Sequence, residues 1–158
     1  MKIHKSILMV LLGVVYLFIP KVSPADPVLK KINILSITDN ADISIFLADR
    51  AGDADVSLYL TRTDESADKK IYLTTNKSEA DYVLEFVSNV EAGGKSFYFT
   101  RSAHDADLSV FFSTDPGAAD KSVLFVFSRE DANISVYVED YRLSRNQLLA
   151  LLVALKII

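Results

Sequence analysis

The chain has 158 residues, a net charge of −4 and no cysteine. This length is enough for one domain with a single core. The lack of cysteine excludes disulfide bonds, thiol catalysis, zinc–thiolate sites and lipid attachment through cysteine. The acidic balance argues against nucleic acid and against anionic membrane surfaces as partners, because binding to phosphate depends on clusters of Lys and Arg.

The amino-terminal segment, residues 1–25, has the layout of a secretory signal peptide. Two lysines precede an apolar run at 7–19, and Ser23 and Ala25 occupy the two small positions before a cleavage site. The run is short for a membrane span, which needs roughly 20 residues. An N-terminal anchor that is not cleaved is the alternative. In both cases we expect the rest of the chain to be exported, as a secreted or periplasmic protein. Residues 26–29 are interpreted as a short linker.

A repeat of thirteen residues runs from residue 30 to residue 146, in nine rows without an insertion. Its third and fifth positions are apolar in every row. Apolar residues two apart, among β-branched and aromatic types, predict a strand with one buried face. The second position, mostly Ser or Lys, is expected to face outward, and the fourth is aromatic in six rows. The third-position residues are Ile32, Ile45, Leu58, Ile71, Leu84, Phe97, Val110, Val123 and Val136.

A single helical turn is predicted after each strand. The eighth position offers N-cap residues such as Asn76, Asp115 and Ser128, and Pro116 fits the first helical position. The few residues left in the row limit the helix to one turn. The twelfth position is Ala in seven rows, which indicates close packing. The thirteenth position is Asp in six rows: Asp42, Asp55, Asp68, Asp81, Asp107 and Asp120.

Successive strands are not expected to form a simple parallel coil. One helical turn and three extended residues recover only about 16 Å, whereas a strand of five or six residues spans roughly 17–20 Å. Such a coil would also stack the thirteenth-position aspartates about 4.8 Å apart, where like charges repel. The sequence therefore favours antiparallel or non-sequential pairing and leaves both open.

The rows resemble those of the 7(1) septoil knot domain family. The resemblance rests on strands followed by S-x-x-E-A-D or close variants, on NVEAGGKSFYF at residues 89–99, and on the closing segment Asp140–Ser144. It covers most of residues 30–146. It implies a mainly β, compact domain with single-turn helical connectors, whose backbone is a seven-crossing torus knot. It implies no activity and no functional residues.

An apolar helix is predicted at the carboxyl end, residues 147–158. Ser144 and Gln147 have the spacing of a capping box, and the residues that follow are good helix formers. The apolar run is too short to span a bilayer. We interpret it as a helix that covers an exposed part of the sheet, with contact to a membrane or a partner as the alternative.

Two columns of the repeat raise the question of ligand binding. The pairs Asp53 and Asp55, and Asp105 and Asp107, space two carboxylates as a calcium loop does. We favour a structural interpretation, in which each thirteenth-position Asp hydrogen-bonds the backbone where the turn meets the strand. The aromatic fourth position suits stacking on sugars, but packing under the chain's own connectors is the favoured interpretation. We therefore predict no metal ligand and no cofactor.

No catalytic residue is predicted. His4 lies in the signal segment, and His104 stands at an ordinary polar turn position. The chain contains no G-x-S-x-G, phosphate-binding glycine loop or H-E-x-x-H. The glycine pair 93–94 is too short to hold a phosphate and indicates a break in the repeat.

The sequence predicts an exported, non-catalytic structural or binding module. The alternative is a calcium- or carbohydrate-dependent recognition protein. The sequence does not identify a partner: a protein or glycan ligand, or membrane contact through either apolar end, stays open, and nucleic acid is not expected.

Overall fold

The computed structural model describes residues 26–37, 40–88 and 94–158. The predicted signal segment, residues 1–25, and Gly93 of the predicted break lie outside the described residues. Within the described part there are nine strands and one α-helix. They are β1 (Val28–Leu35), β2 (Ile43–Leu47), β3 (Val56–Leu60), β4 (Lys69–Thr74), β5 (Tyr82–Phe86), β6 (Lys95–Thr100), β7 (Leu108–Phe112), β8 (Lys121–Val126), β9 (Ile134–Tyr137) and α1 (Arg145–Ala154).

The nine strands form a closed barrel in which every neighbouring pair is parallel. Their order round the barrel is β1-β5-β9-β4-β8-β3-β7-β2-β6. Each strand therefore lies two positions away from the strand that precedes it in the sequence, always in the same direction. The chain passes almost twice round the barrel, and the second circuit fills the gaps left by the first. Non-sequential pairing is confirmed, and the antiparallel alternative is wrong.

The register explains how a thirteen-residue repeat closes this barrel. Partner residues on neighbouring strands are 54 or 63 positions apart in the sequence, as in Val56–Val110 and Leu58–Lys121. Both separations shift the repeat by two positions, so each strand is staggered by two residues against its neighbour. A TIM barrel has roughly one residue of stagger per strand. The larger stagger tilts the strands and widens the barrel.

The third-position residues fill the barrel interior, as the sequence predicts. All nine are at most 2% exposed and belong to one apolar core. The fifth-position residues pack against the same core, with the exception of Leu60, which is 37% exposed. This alternation follows from strand geometry, because successive side chains point to opposite faces of a sheet.

Helix α1 fills the space that the wide barrel leaves. Four successive residues, Leu149, Ala150, Leu151 and Leu152, are fully buried and share the core with the third-position residues. Four successive residues cover every side of a helix, so α1 is surrounded by apolar groups. This differs from the expected helix on the surface of the sheet. The expectation assumed an open sheet with an exposed part to cover, whereas the closed barrel provides an interior that needs filling.

The start of α1 has the predicted capping box. Ser144 Oγ accepts the N–H of Gln147 at 3.3 Å, and Gln147 Oε1 accepts the N–H of Ser144 at 2.9 Å. The helix begins two residues before the predicted segment 147–158 and ends at Ala154. In the part of the chain that the structure describes, no helix is long and apolar enough to cross a membrane.

The connectors that the structure describes in full each cross the outside of one strand. Because successive strands are two positions apart, the connector between them passes over the strand that lies between. The turn Ala51–Asp53 lies next to β7, Ala103–Asp105 next to β2 and Lys77–Glu79 next to β9. These turns, like Asp64–Ser66 and Pro116–Ala118, are single turns of 3-10 helix. The predicted one-turn connector is confirmed in these five rows.

The predicted N-caps are confirmed in two of the three rows. Asn76 Oδ1 accepts an N–H of its own turn at 3.1 Å, and Asp115 Oδ1 does the same at 2.8 Å. Pro116 occupies the first position of its turn, as expected. Ser128 also accepts an N–H, at 3.2 Å, but its row forms a plain turn instead of a 3-10 helix.

The predicted start of the barrel is wrong by two residues. Val28 and Leu29 belong to β1 and not to a linker at 26–29. They pair with Tyr82 and Val83 of β5. The stagger requires this, because the first two residues of β5 can pair only with residues that precede the first row of the repeat.

Two leucines of β3 test the assignment of the interior. Leu58 is fully buried and Leu60 is 37% exposed on the same strand. We expect Leu58→Ala to lower the free energy of unfolding by about 2–5 kcal/mol, because it leaves a cavity in the barrel. The matched variant Leu60→Ala should cost less than about 1.5 kcal/mol, since part of its surface is already hydrated. Urea unfolding measures both values, and equal losses would contradict the assignment.

The absence of cysteine allows a direct test of the strand order. Tyr72 and Val126 are partners on β4 and β8, and neighbouring strands lie about 4.8 Å apart. We expect the double variant Tyr72→Cys/Val126→Cys to form a disulfide within the folded monomer. In the control, Tyr59→Cys/Tyr72→Cys, β8 separates the two strands, and the two positions pair with Ser122 and Val126 of β8. They therefore lie more than about 10 Å apart and should not cross-link. Non-reducing electrophoresis and mass spectrometry report the outcome. In a sequential coil, β3 and β4 would be neighbours, so the control would cross-link and the Tyr72/Val126 pair would not.

Candidate functional site

The thirteenth-position residues hold neighbouring strands together. Each of the six aspartates accepts, through Oδ2, the N–H of a second-position residue on a neighbouring strand at 2.7–2.8 Å. Its own N–H donates to the carbonyl of that same residue at 2.9–3.0 Å. We call this pair of bonds the carboxylate clamp. The clamps are Asp42–Ser96, Asp55–Ser109, Asp68–Ser122, Asp81–Ser135, Asp107–Ser44 and Asp120–Ser57, and Asn133–Lys70 has the same form.

The clamp confirms that the aspartates hydrogen-bond the backbone, but the partner lies on a different turn of the chain. Each bond joins residues 54 or 63 positions apart. The second position is consequently less exposed than predicted: Ser57, Ser96, Ser109, Ser122 and Ser135 are at most 8% exposed. These serines do point away from the interior, but the connector that crosses each strand covers them.

Two of the clamps change the acidity of their carboxyl groups. The backbone N–H of Ser122, followed by its hydroxyl, lowers the pKa of Asp68 below its usual value, and Lys121 and Lys69 act in the same direction. The N–H and then the hydroxyl of Ser44 lower the pKa of Asp107. Hydrogen bonds to the ionised form therefore tie these clamps to the charged state of the carboxylate.

The carboxylates considered for calcium do not converge. Asp55 and Asp107 each give Oδ2 to a clamp, while Asp53 and Asp105 lie exposed in the preceding turns. In residues 26–37, 40–88 and 94–158, no group of three His, Cys, Asp or Glu side chains is placed to hold a metal ion. The acidic column acts on the backbone of the barrel.

The aromatic fourth-position residues are partly buried on the outer face. Tyr137 of β9 lies under the connector that crosses it, with Lys77 Nζ 5.0 Å from its ring centroid. The Tyr72 hydroxyl donates to Glu79 Oε2 at 3.5 Å. Tyr72 and Tyr59 each pair with a small second-position serine on a neighbouring strand, Ser135 and Ser122 respectively. This arrangement agrees with packing under the chain's own connectors.

The ring of clamps changes its chemistry at β1 and β5. In one clamp position Leu29 stands in place of the aspartate and Val83 in place of the serine. In the other, Gly94 stands in place of the aspartate and Lys31 is the second-position residue. β5 also carries Glu85 at the fourth position, where six other strands have an aromatic residue. These exceptions fall at the place where the two ends of the chain meet in the barrel.

The first and last strands, β1 and β9, are the two neighbours of β5. With β9 in place all nine positions of the barrel are filled, so the segment after β9 leads to no further strand. By the rule that connectors follow, the segment after β9 would cross β5. It turns over the carboxyl end of the barrel instead and enters α1, where the Arg145 guanidinium lies 4.4 Å from the ring centroid of Phe112 on β7. β5 is therefore the strand across which the ninth row lays no connector.

The sheet is split between the carboxyl ends of β5 and β9. Their ladder contains two residue pairs and ends at Val83–Tyr137, whereas β1 and β5 share five pairs. Beyond this point β5 continues to hydrogen-bond only β1, and β9 only β4. The Val87 N–H donates to the Ile32 carbonyl of β1, and the Val138 N–H donates to the Thr74 carbonyl of β4, both at 2.9 Å. A gap opens in the barrel wall between them.

This gap is a cleft of about 600 Å³, which we call the seam cleft. Leu84 and Val138, which are 2% and 1% exposed, form its apolar floor. One wall comes from β5, the other from β9, and the segment leading into α1 closes one end. The lining consists of Lys77, Leu84, Glu85, Phe86, Val87, Tyr137, Val138, Glu139, Asp140, Arg142, Leu143 and Gln147.

The rim of the seam cleft is charged, with a surplus of acid. Three carboxylates, Glu85, Glu139 and Asp140, stand against Lys77 and Arg142. The Lys77 ammonium is 4.0 Å from Glu85 Oε1, and both side chains are partly exposed, so this contact is weak. The backbone N–H of Arg142 donates to Asp140 Oδ1 at 2.9 Å. This bond orders the segment leading into α1. The cleft thus combines an apolar floor with acidic groups at its edge.

The seam cleft was not predicted from the sequence. His104, the one histidine considered outside the signal segment, is exposed in a turn next to β2 and takes no part in it. The available signal was the fifth row, in which Val83 replaces Ser and Glu85 replaces an aromatic residue. Relating this row to the ninth required the strand order, which places β5 and β9 side by side.

The fold defines a closed, all-parallel barrel built from one repeated strand-and-turn unit, with its own carboxyl-terminal helix in the interior. Residues 18–95 match the family model of the 7(1) septoil knot domain. This match confirms, over residues 18–95, the resemblance that the repeat indicates. No curated protein and no solved structure gave a significant match to the chain.

The clamps predict that acid weakens the fold. Because the pKa of Asp68 and of Asp107 is lower in the folded state than the unfolded value of about 3.9, their stabilising contribution is complete above about pH 5. It is lost as the pH falls through the folded-state pKa. We expect the free energy of unfolding in urea to decrease between about pH 5 and about pH 3.

A variant isolates the carboxylate in this effect. Asp68→Asn keeps an acceptor for the Ser122 N–H, as Asn133 does for Lys70 at 2.9 Å, but it has no charge to lose. Its stability should fall less in acid than that of the native chain. The control, Glu65→Gln, changes an exposed carboxylate in the preceding turn and should follow the native chain. If Asp68→Asn shows the full acid loss, the clamp is not its source.

Proposed function

We propose that this protein is an exported, non-catalytic binding module whose ligand site is the seam cleft. The observation that carries the proposal is the split between β5 and β9, which leaves a cleft with an apolar floor and charged groups at its rim in an otherwise closed wall. Concave sites with apolar floors and a few polar groups are the usual form of binding sites. The regular clamps and turns serve as the scaffold that holds this site.

The absence of a catalytic role is part of the proposal. In the described residues the titratable groups of the seam cleft are three carboxylates, one lysine, one arginine and Tyr137. Asp68 and Asp107, whose pKa is lowered, lie outside the lining of the cleft and hold clamps of the barrel.

Export is proposed from the sequence of the first 25 residues. The lack of cysteine fits a domain whose stability comes from its core and from the ring of clamps. The seven-crossing knot implied by the family resemblance also stays a proposal for this chain. The interleaved double circuit of the barrel supports it, because each strand of the second circuit passes between two strands of the first.

Binding to the seam cleft is tested by titrating isotope-labelled protein with three ligand classes: short peptides, oligosaccharides and calcium. We expect amide shift changes at residues 84–87 and 137–143 for a ligand that binds. Arg142→Trp should lower that affinity at least tenfold by filling the cleft, whereas Arg101→Trp, on an exposed turn after β6, should not. The proposal is wrong if no class binds up to millimolar concentration, or if every binder shifts only residues elsewhere.

The same titration examines the alternative function. A protein that depends on calcium would show shifts at the aspartate column and a higher unfolding temperature with calcium, because a ligand that binds only the folded state stabilises it. A carbohydrate-binding protein would show shifts at the aromatic fourth-position residues.

A further inference from the structure

We propose that the seam cleft binds an extended peptide of a partner protein, one that carries alternating apolar and basic side chains and adds as a strand to the free edge of β5. This inference rests on the proposed binding function and specifies its ligand. The backbone of residues 84–86 continues its ladder with β1 on one side, while its other side faces the cleft beyond the last pair with β9. An exposed strand edge recruits another extended chain through main-chain hydrogen bonds.

The alternation of the required side chains follows from the two faces of β5. Leu84 and Phe86 point towards the core, and Glu85 between them points outward. A strand laid beside β5 must follow the same pleat. Every second side chain of the peptide would therefore enter the apolar floor at Leu84 and Val138, and the others would lie at the outer rim.

The charge of the peptide follows from the carboxylates at that outer rim. Glu85, Glu139 and Asp140 outnumber the two cations of the cleft, and Glu139 and Asp140 are exposed. Outward-pointing Lys or Arg side chains would meet these groups, and complementary charge speeds association and favours the correct partner. An acidic peptide would meet like charges at the same places.

The rest of the barrel shows how such a segment sits. Seven connectors end in a residue that exchanges hydrogen bonds with the neighbouring strand at the clamp position. Over β5 the ninth row provides no such segment, because it enters the barrel as α1. A peptide in the seam cleft would exchange main-chain hydrogen bonds with β5 where the ladder with β9 has ended.

The test uses three labelled octapeptides in which leucine alternates with lysine, glutamine or glutamate. Fluorescence anisotropy at physiological salt measures their affinity for the protein. We expect the leucine–lysine peptide to bind at least tenfold more tightly than the leucine–glutamate peptide. Methylation of every second backbone nitrogen of the leucine–lysine peptide should cost at least tenfold, because strand addition needs those N–H donors.

A pair of charge-reversal variants locates the binding. Glu85→Lys/Glu139→Lys should weaken the leucine–lysine peptide at least tenfold. Asp53→Lys/Asp105→Lys changes the net charge equally, on exposed turns over β7 and β2 at the opposite side of the barrel, and should have little effect. Equal loss in both variants, or no effect of backbone methylation, overturns strand addition at β5.

The outcomes separate this inference from the proposed function. If peptides of all three compositions fail while an oligosaccharide shifts residues 84–87, the cleft is a binding site and the peptide assignment is wrong. If the glutamate peptide binds the cleft most tightly, the charge assignment is wrong. If no ligand class reaches the cleft, the proposed function fails together with this inference.

Discussion

The carboxylate clamp is the interaction on which the structure depends. An aspartate at the end of one row accepts the N–H of a residue 54 or 63 positions away at 2.7–2.8 Å. Because the clamp joins strands that are never consecutive, it fixes both the partner and the two-residue stagger. The stagger widens the barrel, and the wide barrel needs α1 to fill it. One short hydrogen bond, repeated in six of the nine rows, thus leads to the shape of the interior.

The seam cleft follows from the same geometry. A barrel of nine positions, filled two positions at a time, places the first and last strands, β1 and β9, on either side of β5. There the repeat has no further row to supply a connector, and the chain turns inward. The sequence changes at the same place, with Leu29 and Val83 at the clamp position and Glu85 among the aromatic residues. The end of the repeat is therefore the place where a site can form without disturbing the scaffold.

Local features of the fold were predictable from the sequence, and features that depend on distant rows were not. Ile71 is buried because strand alternation alone assigns it a face, and Asn76 caps its turn through neighbouring atoms. The burial of Ser135 depends on Asp81, 54 residues away. The position of α1 depends on the width of a barrel that only the stagger determines. Glu85 and Asp140 look unrelated along the chain and share a cleft only because β5 and β9 are neighbours.

The interleaving of the two circuits has a consequence for how the chain reaches its native state. In a solenoid each repeat contacts the next, so order can spread row by row along the chain. Here the nearest partner of any strand is four rows away, and its ladder can form only after a long loop closes. Such a high contact order predicts slow folding, because the strands of the early rows can pair only when rows four or five places later are present. The repeat makes the sequence periodic, but the assembly that it forms is cooperative over its whole length.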